Sequence, residues 1–246
     1  MGLLADLRTL RHLIWGAVEG ESHAARLESF YRPQAGNYDR FRQRMLQGRR
    51  ELFEAIAIPP HGVWLDLGGG TGHNLQYLGR RLHSLRKVYV VDLCPPLLDV
   101  ARQRIREHGW TNVEAVHGDA TSFAPPEQPV DAATFSYSLT MMEDWFAALD
   151  HAASLLAAAG VIGVVDFYVS RKHPQAGLTR HAWWARTLWP AWFAADNVFL
   201  SPDHLPFLRR RFETLRLEER TARLPWLPLV RAPYYLFVGR RRDRWP

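Results

Sequence analysis

The stretch VWLDLGGGTGHN, Val63 to Asn74, sets the reading of the whole chain. Val63 to Leu67 has the length and apolar content of a strand buried on both faces, and the run ends at three consecutive glycines. The spacing Asp66-x-Gly68-x-Gly70-x-Gly72 puts glycine where a turn passing beneath a ligand needs positive φ or a backbone without Cβ. A strand entering such a loop, with a helix expected from Asn74 to Leu82, opens an α/β sheet that binds its ligand at the strand ends. Dinucleotide sites on this architecture want G-x-G-x-x-G, but counting from Gly68 or Gly70 puts His73 or Leu75 in the third place. The loop therefore favours a nucleoside carrying an amino-acid tail over a pyrophosphate.

Outward from the loop, strand and helix patterns alternate as in a parallel sheet with crossover helices. Strands are expected at Lys87 to Asp92, Val113 to His117, Ala132 to Ser136 and Val161 to Phe167, with helices from Pro95 to Glu107 and from Trp145 to Leu156. Asp92 ends the second strand, where a carboxylate can accept both ribose hydroxyls, and Leu93 follows it. At the end of the third strand, the acidic side chain and amide of Gly118-Asp119-Ala120 can read an adenine edge. Asp66 is equally placed to cap the loop amides.

The alternation stops after Val169. Residues 170–202 carry Trp183, Trp184, Trp189, Trp192 and Phe193 and read as an insertion, after which Ser201-Pro202-Asp203 can cap another helix. Thr214 to Arg223 and Pro233 to Gly239 read as a closing antiparallel pair joined by the proline-rich LPWLPLVRA, and the tail GRRRDRWP is basic. Residues 1–60 read as a helical cap on a domain spanning 61–246. In it Leu3, Leu7, Leu10, Ile14 and Val18 form an apolar stripe that either packs on the domain or lies on anionic lipid.

At 246 residues and 47% hydrophobic, the chain can build its core by burial alone. A lone cysteine, Cys94, excludes an intramolecular disulfide and reads as packing. No Cys/His cluster has zinc spacing, so no metal is expected. No apolar run is long enough to span a bilayer. The formal charge of +6 attracts polyanions, and ten tryptophans favour a place where an apolar body meets a polar rim. Zinc-finger and RNP-type patterns are absent, so the charge is assigned to lipid head groups and not to nucleic acid.

The segments LESFYRPQAGNYDRFRQRMLQGR (27–49), VYVVDLCPPLLDVARQR (88–104), FSYSLTMMEDW (135–145) and GVVDFYVSRKHP (163–174), together with the glycine loop, carry a resemblance. The chain resembles the methyltransferase module of betaine-lipid synthases, within the class I methyltransferases that use S-adenosylmethionine (SAM). That resemblance implies a Rossmann-like, mostly parallel seven-stranded sheet with an antiparallel C-terminal pair. The implied reaction is trimethylation of the amino group of diacylglyceryl-homoserine. The alternative is methylation of another amphiphile, such as phosphatidylethanolamine or a quinone precursor.

Residue by residue, the resemblance implies that Tyr31, Tyr137, Asp166 and Tyr168 serve the reaction. Tyr38, Asp66, Gly68, Gly69, Gly70, Asp92, Leu93, Asp119, Ala120 and Ser136 would hold the cofactor, and Met141 would flank the methyl group. His73 departs from the aromatic that the family carries there. The aminocarboxypropyl-transferring module is missing, so a separate transferase would supply the substrate lipid. A cytoplasmic enzyme peripheral to the inner face of a membrane is expected. The four tyrosines can present π-faces to a sulfonium or ammonium, although each suits core packing equally well. Asp166 or His73 can relay the amine proton, and bulk water can do the same. Ser136-Tyr137-Ser138-Leu139 stands where base methyltransferases place an Asn/Asp-Pro-Pro-aromatic string, which argues against a nucleobase substrate.

Overall fold

The fold is described from a computed structural model for residues 45–195, 197–224 and 227–242. The expected stripe over residues 3–18, Tyr31, Tyr38 and the last four residues lie outside this range. Seven strands form one sheet: β1 (Val63–Leu67), β2 (Lys87–Asp92), β3 (Val113–His117), β4 (Val130–Ser136), β5 (Leu156–Phe167), β6 (Phe212–Leu224) and β7 (Leu227–Arg241). Their order is β3-β2-β1-β4-β5-β7-β6. The first five are parallel, and β7 runs antiparallel to both β5 and β6. The Rossmann-like reading holds. The reversal of strand order beside β1 opens a crevice above the carboxyl ends of β1 and β4, where ligands of such sheets bind.

The β1 burial is complete at all five positions, as expected of a central parallel strand. Two cores follow from side-chain alternation. Trp64, Val88, Val90, Ala132, Val165 and Phe167 face one layer, while Leu65, Leu67, Val91, Phe135, Ile162 and Val164 face the other. On the first face, α1 (Arg49–Ala55) buries Leu52 and Phe53, and Phe53 stacks on Trp64 with ring centroids 5.4 Å apart. Arg81 ties down the carboxyl end of α1 by donating to the carbonyls of Phe53 and Ile56 at 2.7 and 2.8 Å. On the second face, α3 (Trp145–Leu155) buries Ala148, Leu149, Ala152 and Ala153, and the Asp144 carboxylate accepts from Ala147 N–H at its start. The helix after β2, α2 (Pro95–Glu107), starts with proline at its first turn, where no amide hydrogen is missed.

Three sequence expectations change. The helix after the glycine loop is a 3-10 segment, His73–Ser84, broken where Gly79 turns to φ 54°. The strand β5 begins at Leu156, so the expected helix ends one residue early and the small AAAG stretch belongs to an irregular strand entry. Most of LPWLPLVRA is strand, because β7 pairs with β6 from Leu227 onward. Pro233 fits there because β5 ends at the register of Tyr234, so the missing amide breaks no ladder on that side. The insertion holds α4 (Trp183–Ala194), and α5 (His204–Arg211) follows it.

Gly163 in β5 lies under α1. A Cβ there would stand 2.4 Å from Ile56 Cδ1 and 3.1 Å from Leu52 Cδ1, both on fully buried side chains. Gly163→Ala is expected to cost about 1–3 kcal/mol by overpacking. Thermal unfolding checks this, with a lowered midpoint as the expected result.

Candidate active site

The carboxyl ends of β1, β2, β3, β4 and β5 bring the expected cofactor residues to one edge of the sheet. Gly68 takes φ 68°, and a Cβ on it would meet Ser138 Cβ at 2.4 Å, so the residue must be glycine on both counts. Ser138 Oγ also donates to Leu67 O at 3.0 Å, which locks the turn after β4 onto the glycine loop. The loop is held against β2 as well. Gly68 and Gly69 N–H donate to Val91 O at 2.8 and 3.1 Å, and Gly70 N–H donates to Asp92 Oδ2 at 2.8 Å.

The second oxygen of Asp92 accepts from Cys94 N–H at 2.9 Å. Asp92 therefore organises two turns at the end of β2, where a ribose is expected. Leu93 follows it, half-buried. At the end of β3, Asp119 Oδ1 accepts from the amide and hydroxyl of Thr121 at 2.8 and 2.7 Å, beside buried Ala120.

Asp66 is fully buried on β1. Thr134 Oγ1 accepts from Trp64 Nε1 at 2.9 Å and donates to Asp66 Oδ1 at 2.8 Å. Arg49, also buried, donates to Asn74 Oδ1 at 3.3 Å, and Asn74 and Arg49 both favour the Asp66 carboxylate. Desolvation outweighs these contacts and, helped by the charge of Asp92, pushes Asp66 up to about 7. Its Oδ2 has no hydrogen-bond partner and lies 2.9 Å from the place of a Cβ on Gly69. Ser136, at the end of β4, likewise has a buried hydroxyl with no partner. These unsatisfied atoms and the Cβ-free loop fit a nucleoside with a charged amino-acid tail.

The turn after β4 is strained. Tyr137 adopts φ 54°, uncommon for a bulky side chain, while its N–H donates to Val165 O at 2.7 Å. Its hydroxyl donates to Gln47 O at 2.6 Å and its ring lies 4.8 Å from that of Phe167. Burial, with the charges of Asp166 and Tyr234, raises Tyr137 well above the ordinary phenol range, so the hydroxyl stays protonated. Phe167 in turn lies 4.7 Å from Phe193 of α4, giving an aromatic wall from the β4 turn to the insertion.

The structure separates the residues expected to serve the reaction. Asp166 and Tyr168 alternate with Phe167 and point to the other sheet face. Asp166 accepts from Thr140 Oγ1 at 2.8 Å, Phe167 N–H at 2.8 Å and Thr140 N–H at 3.2 Å, so it clips the turn carrying Leu139 to Met141. Burial pushes it, too, up to about 7. Tyr168 donates to Glu219, and its ring packs on His181 and Tyr235 at 4.9 and 5.4 Å. Glu219 also accepts from Thr179 N–H at 2.9 Å, so this cluster anchors the start of the insertion. His73 begins the 3-10 segment, edge-on to Tyr77 at 6.2 Å. Arg49, Asn74, Thr134, Ser138 and Phe167 were not singled out from sequence, since none has a distinctive spacing. Among the described residues no group of three or more His, Cys, Asp or Glu side chains is placed to hold a metal.

Residues 65–160 match the family described as a methyltransferase domain. A ubiquinone/menaquinone biosynthesis C-methyltransferase of Hahella chejuensis is 28% identical over 155 residues, 61% of each chain. The chain thus spans about three-fifths of the length of the first curated relatives it matches, at 61% and 60%. Among solved structures, a putative methyltransferase from Bacillus halodurans superposes with TM-score 0.63 at 17% identity, covering 80% of this chain and 99% of that one. A 1,6-didemethyltoxoflavin-N1-methyltransferase of Burkholderia thailandensis, solved with S-adenosylhomocysteine, gives TM-score 0.59 at 19% identity, covering 92% and 93%. The chain thus shares the Rossmann-like fold of these methyltransferase structures, and residues 65–160 carry the match to the methyltransferase-domain family.

Asp92→Ala removes the tie to Gly70 and the carboxylate expected to take the ribose. Calorimetry is expected to show SAM affinity lowered by about 2–3 kcal/mol, with the far-ultraviolet circular dichroism unchanged. The raised Asp66 also predicts a pH dependence. The unfolded chain ionises this group near 3.8 while the folded chain holds its proton to about 7, so its contribution to stability falls as pH rises through that window. Urea unfolding at pH 5 and pH 8 is expected to show a smaller loss for Asp66→Asn than for the unaltered chain.

Proposed function

We propose that the chain transfers methyl groups from SAM to the amino group of an amphiphile, converting diacylglyceryl-homoserine to its trimethylated betaine. The observation that carries this reading is the buried aromatic cluster of Tyr137, Phe167, Phe193 and Trp189, which runs from the β4 turn next to the glycine loop to α4. A wall of aromatic faces suits a methylated ammonium, each contact being worth about 0.5–2 kcal/mol, and its apolar continuation through α4 suits acyl chains. Bound at the loop, SAM supplies an activated methyl group on a positively charged sulfur.

The residues of the chain do the rest by placement. Asp66, whose Oδ2 is buried and unpartnered beside Gly69, would take the ammonium of the amino-acid tail, and Asp92 would take the ribose. Ser136 would offer its unpartnered hydroxyl at the same edge. The Ser138 contact with Leu67 and the Asp166 clip on Thr140 hold the β4 turn in one conformation, which fixes the Tyr137 ring at the end of β4. Such alignment, with water kept out by Trp189 and Phe193, can contribute up to about 7–11 kcal/mol to a displacement reaction. Asp166 is enclosed by its hydrogen bonds on the other sheet face, so the amine proton leaves to solvent.

The sequence match to quinone C-methyltransferases supports a second reading, methylation of a quinone precursor at carbon. A single assay separates the two. The purified chain is incubated with methyl-labelled SAM and, in parallel, diacylglyceryl-homoserine, phosphatidylethanolamine or a demethylated quinol, and the products are identified by mass. Three successive additions on diacylglyceryl-homoserine are expected; label confined to the quinol would overturn the N-methylation reading. Within that reading, Tyr137→Phe keeps the ring and is expected to retain kcat within about tenfold, whereas Tyr137→Ala, which loses the ring face, falls well below it.

A further inference from the structure

We propose that the outer face of α4 is the membrane-docking surface of the enzyme, seating on an anionic lipid bilayer. The helix WWARTLWPAWFA has Arg186 as its one charged residue. Its inner face, Ala185, Trp189 and Phe193, is buried on the core. Its outer face is apolar as well, and Trp183, Trp184 and Trp192 are 74%, 52% and 47% exposed. A helix apolar on every side belongs inside a protein core or against lipid, and tryptophan is enriched where hydrocarbon meets head groups. Isolated exposed hydrophobics are ordinary, but three tryptophans with Leu188 on one short helix form a patch.

Charge identifies the occupant. From Phe167 to Ala195 the chain carries Arg171, Lys172, Arg180 and Arg186 and no acidic residue. Arg171, Lys172 and Arg180 are exposed. Arg171 pairs with Asp203, and Asp196 follows the helix in sequence, but the segment keeps a cationic excess. An apolar ridge on a cationic segment matches an anionic leaflet, whose surface potential attracts each basic side chain by about 1 kcal/mol. Position gives the surface a purpose. The Phe193 ring touches Phe167 at 4.7 Å, and Phe199 N–H donates to Thr140 O at 2.7 Å, so the insertion joins the wall of the site to the outside. A lipid headgroup entering beside α4 therefore reaches the carboxyl ends of β4 and β5 while its chains stay in the bilayer. This inference rests on the amphiphile reading above.

The test is vesicle flotation of the full chain with phosphatidylcholine alone or mixed with phosphatidylglycerol. The unaltered chain is expected to float with the mixed vesicles. A variant carrying Trp183→Ser, Trp184→Ser and Trp192→Ser is expected to bind them at least about tenfold more weakly, with unchanged thermal midpoint and SAM affinity. Equal flotation by both forms overturns the proposal. So does loss of flotation on deleting residues 1–20 while the tryptophan variant still binds, or a dimer in solution that the variant dissociates. Activity on detergent-dispersed lipid amine is read separately. If that fails while the tryptophan-dependent flotation holds, the substrate reading falls and the docking surface stands.

Discussion

Asp66 lies under the glycine loop with no access to water, and the surrounding architecture is arranged to make that tolerable. Its neighbours come from three places in the chain: Thr134 from β4, Asn74 from the loop exit, and Arg49 from α1. A buried carboxylate that lacked them would cost several kcal/mol, so the register between β1 and β4 and the seating of α1 are coupled to one side chain. The same group keeps an oxygen without a partner beside Gly69, which is the kind of deficit a cationic ligand removes. Stability and the proposed cofactor recognition thus meet at one atom.

The strand end at Asp166, Phe167 and Tyr168 shows how a two-residue period distributes tasks. One sheet face receives Phe167, which builds the wall with Tyr137 and Phe193. The other receives Asp166 and Tyr168, which hold a turn and an insertion by hydrogen bonds to Thr140 and Glu219. Moving along the strand by one residue exchanges these surfaces completely. The polar pair has the chemistry expected of catalytic groups, yet its bonds are spent on positioning.

The alternating core was legible because its strands are short apolar runs bounded by turn residues, and four of the first five both begin and end within two residues of the expected places. The glycine loop was legible for a different reason: three glycines at fixed spacing have few other uses. Pattern could not show that the helix after the loop would break at Gly79, since a single glycine is tolerated in many helices. Nor could it show the length of the C-terminal hairpin, because Pro233, which signals a loop, sits beyond the end of the β5 ladder, where its amide is not needed. Phe167 was hidden for the same physical reason that Asp166 was conspicuous: an apolar residue in an apolar strand carries no mark of what it will face.

The outermost strand, β6, has a bearing on how the protein behaves when crowded on a surface. A strand of thirteen residues at the rim of a sheet is a template for pairing with another molecule. Here that rim carries a line of opposed charges, with Arg216 and Arg220 on Glu218, Arg220 also reaching Glu51, and Glu213 opposite Arg240. Any incoming strand would have to strip water from those ions and displace their partners. At the other rim β3 has five residues, too few to nucleate a ladder. Molecules brought side by side at high local density would therefore remain separate, and the sheet would end where the chain ends it.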